Sequence, residues 1–246
     1  ARAAAELLRE QFQHRSRLDV RRKSSATDLA SEADLAAEAL IRELLARWRP
    51  DDAILAEEGG GDTTTAAGGM RWVVDPLDGT TNFLFGIPVW CVSVACEDAL
   101  GTVAGVVLDP MLGELFAATR DGTTTLDGAP VHAAPPRPLD RALVATGFSY
   151  DADERRLQGD RLATLLPNVR DVRRMGAAAL DLAWVSAGRY DAFVERGLEP
   201  WDIAAGLLLA RRSGLEVRAL PATAHLAAGI AVGRPALLEE LLAVGL

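Results

Sequence analysis

Lysine is almost missing from this chain: of 246 residues, 26 are Lys or Arg, and Lys23 is the only lysine. A phosphate-binding loop of the GxxxxGK[ST] kind is therefore excluded, because Lys23 follows Arg21-Arg22 and not glycine. Schiff-base chemistry would have to use Lys23, and no neighbouring pattern supports it. Histidine is scarce as well. His14, His132 and His225 stand too far apart to resemble HExxH or a zinc triad, which argues against zinc hydrolysis. Cys91 and Cys96 lie in one apolar run. Five residues apart on a strand they would point to opposite faces, so they read as two small buried hydrophobes and not as a disulfide. No window holds the roughly 18 apolar residues of a membrane span. Residues 1–16 carry charges and lack the apolar stretch of an export signal. These absences predict a cytoplasmic protein with no membrane partner.

Acids exceed bases, 35 to 26, for a net charge of −9. That argues against nucleic acid as the main ligand, since phosphate backbones are held mostly through Lys and Arg. A small phosphate substrate stays compatible, because bound cations could offset its charge locally. Hydrophobic content of 49% with 25% charge is ordinary for a globular chain, and the length allows a large core. The expected organisation is one compact unit of two halves, an α+β half over 1–140 and an α/β half over 141–246.

Apolar spacing predicts helices at 2–18 and 31–48, the second capped by Ser31 and Asp34. Strand-length apolar runs follow at Ala53–Ala56, Arg71–Val74, Val89–Cys96, Thr102–Leu108 and Glu114–Ala118. The turn dipeptides Asp121-Gly122 and Asp127-Gly128 make 101–133 an antiparallel meander. Residues 59–69, rich in Gly, Thr and Ala, read as a surface loop. In the second half, strands near 142–147, 168–173, 191–195, 214–219 and 229–232 alternate with helices near 153–166, 177–187, 202–213 and 234–244. The mixture points to layered α/β sheets.

The most informative segment is Trp72-Val73-Val74-Asp75-Pro76-Leu77-Asp78-Gly79-Thr80-Thr81-Asn82-Phe83. An apolar strand runs into an acid, and proline then fixes φ and stops the ladder. A second acid follows three residues later, so both carboxylates can be aimed beyond the strand end. Gly-Thr-Thr can open a short helix whose N-terminus attracts phosphate. Mg²⁺ prefers oxygen ligands of this kind. Asp-Pro and Asp-Gly are also turn formers, and Asp109-Pro110 is taken as a hairpin for that reason. Glu57-Glu58 again places acids at a strand end, although paired glutamates usually mark a solvated loop. Asp202 opens an apolar helix, where a capping role is the default, and the same holds for Asp28 and Asp34.

Taken in order, these segments resemble the inositol monophosphatase family. Asp75 to Phe83 looks like its signature, and Trp201-Asp202-Ile203-Ala204-Ala205-Gly206 resembles its C-terminal signature. Lys23, Asp28 and Asp34 fall at the spacing of its N-terminal segment, and Glu57-Glu58 stands where its acidic pair belongs. Gly176–Leu180 and Asp191–Glu195 resemble the stretch before the second signature, so the likeness runs from about 23 to 215.

The resemblance implies an α-β-α-β-α sandwich with a largely antiparallel N-terminal sheet and a smaller mixed C-terminal sheet. It implies two Mg²⁺, one held by Glu57, Asp75 and the Leu77 carbonyl, the other by Asp75, Asp78 and Asp202, with a third, weaker ion near Glu57. Asp34 and Thr80 would activate water, with Glu57 beside them. Gly79 and Thr80 amides would hold phosphate, and Ala178, Glu195 and Asp202 would meet the alcohol. A homodimer is expected by the same analogy. Ala177 and Ala178 depart from relatives that carry Ser or Thr at the first of these places. The implied activity is hydrolysis of a small alcohol phosphate such as inositol monophosphate. Histidinol phosphate is the rival substrate, followed by fructose 1,6-bisphosphate; phosphoadenosine phosphate fits less well, because Thr81-Asn82 stand where such relatives carry Lys-Glu. A regulatory protein of the same fold without turnover is the reading from another class.

Overall fold

The structure, a computed structural model, describes residues 1–14, 20–22, 29–61 and 69–245; Lys23, Asp28 and residues 62–68 of the expected loop lie outside the described residues. Helix α1 (Arg2–Gln13) is followed by an antiparallel ribbon of β1 (Val20–Arg22) and β2 (Leu29–Ser31). Helix α2 (Glu32–Trp48) begins as its sequence predicts. The Ser31 hydroxyl accepts from the Ala33 N–H at 3.2 Å, and Asp34 accepts in return from the Ser31 N–H at 2.8 Å.

An eight-stranded sheet comes next. Its members are β3 (Ala53–Ala56), β4 (Gly60–Gly61), β5 (Arg71–Asp78), β6 (Cys91–Asp98), β7 (Gly101–Asp109), β8 (Glu114–Thr119), β9 (Thr125–Leu126) and β10 (Ala129–Pro130), with helix α3 (Thr80–Phe85) between β5 and β6. The spatial order is β10-β9-β8-β7-β6-β5-β3-β4, antiparallel throughout except for β3 beside β5. The meander over 101–133 is present, and Asp127-Gly128 turns its last hairpin with both residues at positive φ. Gly60-Gly61, expected as loop, instead pair with Leu55 and Ala56 as an edge strand.

The second sheet has five strands: β11 (Leu143–Thr146), β12 (Asp171–Arg173), β13 (Ala192–Arg196), β14 (Glu216–Leu220) and β15 (Gly229–Gly233). Their order is β12-β11-β13-β15-β14; β11 runs parallel to both its neighbours, and the other pairs are antiparallel. Helices α4 (Ala152–Leu165), α5 (Ala178–Ser186), α6 (Pro200–Arg212) and α7 (Pro235–Ala243) alternate with them.

Side-chain alternation along the strands explains the layering. Val73, Cys91 and Val107 face α5 and α6, whereas Val74, Val92 and Leu108 face α1 and α2. In the second sheet Phe193 and Val232 turn toward α5 and α6, while Ala192, Val194 and Ala231 turn toward Leu165 of α4 and Leu237, Leu238 and Leu241 of α7. The result is the α-β-α-β-α sandwich, with α5 and α6 between two sheets. Both cysteines are buried and free, as expected.

The middle layer is tight. A Cβ built on Gly206 would sit 2.5 Å from Leu182 Cβ, so α5 and α6 touch through the missing side chain. Gly159, in exposed α4, has nothing within 4 Å. Opposite effects are therefore expected in urea unfolding. Gly206→Val should cost about 1–3 kcal/mol by overpacking, and Gly159→Ala should gain about 0.5–1 kcal/mol of helix propensity.

Candidate active site

Strand β5 does not end where its proline suggests. Pairing with β3 stops at Ala56 opposite Val74, but pairing with β6 continues through a register shift, Asp75 facing Ser93 and Asp78 facing Cys91. Three residues on β5 thus span two on β6, and Pro76 falls inside this bulge, where proline is tolerated. The bulge has a chemical consequence. Residues three apart on a regular strand point to opposite faces, yet Asp75 and Asp78 both line one pocket.

That pocket, about 670 Å³, is also lined by Glu57, Leu77, Gly79, Thr80, Ala178, Glu195 and Asp202. Every residue assigned a role on the sequence, Asp34 excepted, borders it directly. Asp34 is fully buried behind it. One of its oxygens accepts from Ser31, and Oδ1 accepts from the Thr80 hydroxyl at 2.8 Å. The helix cap and the contact with Thr80 thus use one oxygen each.

Asp75 is 2% exposed, and its Oδ1 accepts from the Leu77 N–H at 3.0 Å. Burial pushes its pKa well above the usual carboxylate range, and Glu57, Asp78 and Asp202 push it further. Asp78 accepts from the Ala178 N–H at 3.2 Å, the Ala179 N–H at 2.8 Å and the Cys91 thiol at 3.5 Å. These donors partly offset its burial, which still raises its pKa to about 6. The Ala178 amide is therefore committed to Asp78. Asp202 is raised by burial first, then by Asp78, and it accepts from the Glu199 N–H at 2.7 Å. Helix α6 starts two residues earlier than the sequence suggests, with Pro200 first and Glu199 as its N-cap, so Asp202 sits in the first turn and not at the cap itself. Glu195 extends from β13 into the space a Cβ on Gly147 would need; burial, Asp181 and Asp202 all raise its pKa.

Gly79 allows the backbone to enter α3. Its φ is +94°, and a Cβ there would lie 3.0 Å from the Val89 carbonyl oxygen and 3.3 Å from Ala177 Cβ. Asn82 then ties the segment down, donating to the carbonyls of Val89 and Met175 at 2.7 Å each. Asp109, by contrast, accepts from Met111 and Leu112 N–H groups in its turn, as expected of a hairpin.

Three supporting residues escape a reading of the sequence. Glu38 of α2 accepts from the Glu58 and Gly59 N–H groups at 2.8 and 2.9 Å and from Arg42 at 2.7 Å, fixing the turn that carries Glu57. The i,i+4 spacing of Glu38 and Arg42 was the available signal. Cys91 is a neighbour of Asp78 as well as a core residue. Asp181 of α5 is 1% exposed, is influenced by the neighbouring Tyr190 hydroxyl, and has no partner for Oδ1 among the described residues.

Among the described residues no three histidine, cysteine or acidic side chains close on one point as a finished metal cage. The donor set nonetheless suits a hard divalent cation. All its donors are oxygens, and like charges this crowded and buried raise one another's pKa values unless a cation neutralises them.

The chain belongs to the inositol monophosphatase family, a family of phosphoric monoester hydrolases whose profile matches residues 1–244. It is 42% identical over 232 residues to an inositol-1-monophosphatase of Mycobacterium bovis, covering 91% of this chain and 80% of that protein. A protein of Escherichia coli K12 described as Nus factor SuhB is 40% identical over 215 residues, covering 87% and 80%. The crystal structure of the extragenic suppressor protein suhB of Bartonella henselae superposes with a TM-score of 0.90 at 33% identity, covering 98% of this chain and 93% of that one.

Proposed function

We propose that this protein is a Mg²⁺-dependent phosphomonoesterase of small alcohol phosphates, inositol monophosphate foremost, acting by direct attack of water. One observation carries the reading: the Thr80–Asp34 hydrogen bond opens on the same pocket as the four carboxylates of Glu57, Asp75, Asp78 and Asp202, of which Asp75 and Asp78 are buried. Glu57, Asp75, Asp78 and Asp202, with the Leu77 carbonyl, would hold two Mg²⁺, Asp75 being shared. Bound Mg²⁺ would neutralise charge on the phosphoryl oxygens and on the departing alkoxide.

The chain's own groups supply the rest. The Thr80 hydroxyl lies 2.8 Å from Asp34 Oδ1 and 3.1 Å from the Leu77 carbonyl oxygen; with its one proton directed to the nearer Asp34, an oxygen lone pair remains to accept from an attacking water. As the water loses its proton to Thr80 Oγ1, the hydroxyl proton passes to Asp34. Gly79 and Thr80 amides at the start of α3 would orient the phosphate for in-line displacement. Glu195 would accept from a hydroxyl of the alcohol. The family name and the M. bovis relative support inositol monophosphate as the first substrate to try.

A phosphate-release screen over inositol, histidinol, glycerol and sugar phosphates tests this. Release that needs Mg²⁺, stops with chelator and has its highest kcat/KM on inositol 1-phosphate is the expected result. Absence of release from every ester would sink the proposal, leaving the non-catalytic role that the name of the E. coli relative evokes.

A further inference from the structure

We infer that Arg174 is a specificity-determining residue of this pocket, its guanidinium donating to hydroxyls of the departing alcohol while Glu195 accepts from them, so that an uncharged alcohol with adjacent hydroxyls is selected. The inference rests on the phosphomonoesterase reading and deepens it.

Two arginines line the pocket, against eight acids. Arg196 is engaged, donating to the carbonyls of Pro221 and Ala227 at 3.1 and 2.8 Å. Arg174 is exposed and makes no hydrogen bond or ion pair among the described residues. Several arginines outside the pocket do pair with carboxylates, Arg120 with Asp98, Arg137 with Asp191, and Arg189 with Glu114. A guanidinium left without a partner in an acidic pocket has its five donors available to a ligand.

Its position is set by the backbone. Gly176, at φ +82°, has no side chain, and a Cβ there would come within 2.5 Å of Arg174 Nη1. The guanidinium therefore lies along the chain that enters α5. Its charge acts on Glu195 and Asp181, lowering both pKa values against their burial.

The signs of these charges choose the substrate class. An ammonium on the alcohol would be repelled by Arg174. A second phosphate drawn to Arg174 would meet Glu195, with Asp181 behind it. Neighbouring hydroxyls satisfy a donor on one side and an acceptor on the other without introducing charge.

The test compares wild type with Arg174→Gln and Arg174→Lys on three esters in Mg²⁺: inositol 1-phosphate, ethyl phosphate, which has no hydroxyl, and ethanolamine phosphate, which carries an ammonium. Arg174→Gln should lower the kcat/KM ratio of inositol 1-phosphate to ethyl phosphate about 10–100-fold, mainly through KM, as expected for lost charged hydrogen bonds. The ratio of ethanolamine phosphate to ethyl phosphate should rise, and Arg174→Lys should fall between the two proteins. Ratios unchanged within twofold, or equal losses on all esters, would overturn the inference while leaving the phosphomonoesterase reading intact. No release from any ester by the wild type would overturn both.

Discussion

Asp75→Asn is expected to abolish Mg²⁺-dependent phosphate release, by at least about 10³-fold, while making the metal-free protein more stable. The two effects have one cause. Asp75 lies among Glu57, Asp78 and Asp202, and its ionised form is opposed by burial and by all three. Asparagine keeps an oxygen for the Leu77 N–H, so the local turn survives. What goes is the central negative charge.

The pH dependence follows from the same shifts. Asp78 titrates at about 6 in the folded protein, above its ordinary value of 3.8. A raised carboxylate pKa contributes stability that is fully present below the unfolded value and is lost as pH rises through the folded one. Metal-free wild type should therefore lose thermal stability between about pH 4 and pH 7 through this cluster. Mg²⁺ should raise Tm more at pH 7.5 than at pH 5. Asp75→Asn should raise metal-free Tm at pH 7.5 by a few degrees, at about 2–4 °C per kcal/mol for a chain of this size. Differential scanning fluorimetry with and without Mg²⁺ measures all of this. An unaltered metal-free Tm together with a full Mg²⁺ increment would refute the account.

Thr80→Val has the second large effect, a fall in kcat of about 10²–10⁴-fold from loss of the proton path. Asp34→Asn should act similarly, and the double variant should be little worse than either, because the two groups work as one unit. Thr80→Ser should recover most activity. Neither single variant touches a carboxylate assigned to Mg²⁺, so the Mg²⁺-induced rise in Tm should persist. Independent, multiplying losses would show that Thr80 and Asp34 do not share a proton path.

Much of this was legible in the chain. Period-two and period-3.6 patterns mark the sheets and the long helices, and the ordered motifs around Glu57, Asp75, Asp78 and Asp202 point to the one pocket that all four line. Local patterns failed where a partner is distant or has no side-chain signature. Asp78 is held by the amides of Ala178 and Ala179, a hundred residues away, and amides look alike in any sequence. Pro76 read as a stop because nothing local announces a bulge. The start of α6 falls two residues before the position that apolar spacing indicates, so Asp202 taken alone looks like its cap. Arg174 leaves no local pattern to read, because what sets it apart in the pocket is the lack of a partner among the described residues.

The hold of α5 on Asp78 also ties chemistry to breathing. Those two amides belong to the layer between the sheets, while the carboxylate belongs to the eight-stranded sheet. Any opening that lifts the start of α5 strips Asp78 of two donors and leaves its charge unsupported. Hydrogen exchange at Ala178 and Ala179 therefore gauges, from the protein side alone, how often the site is whole.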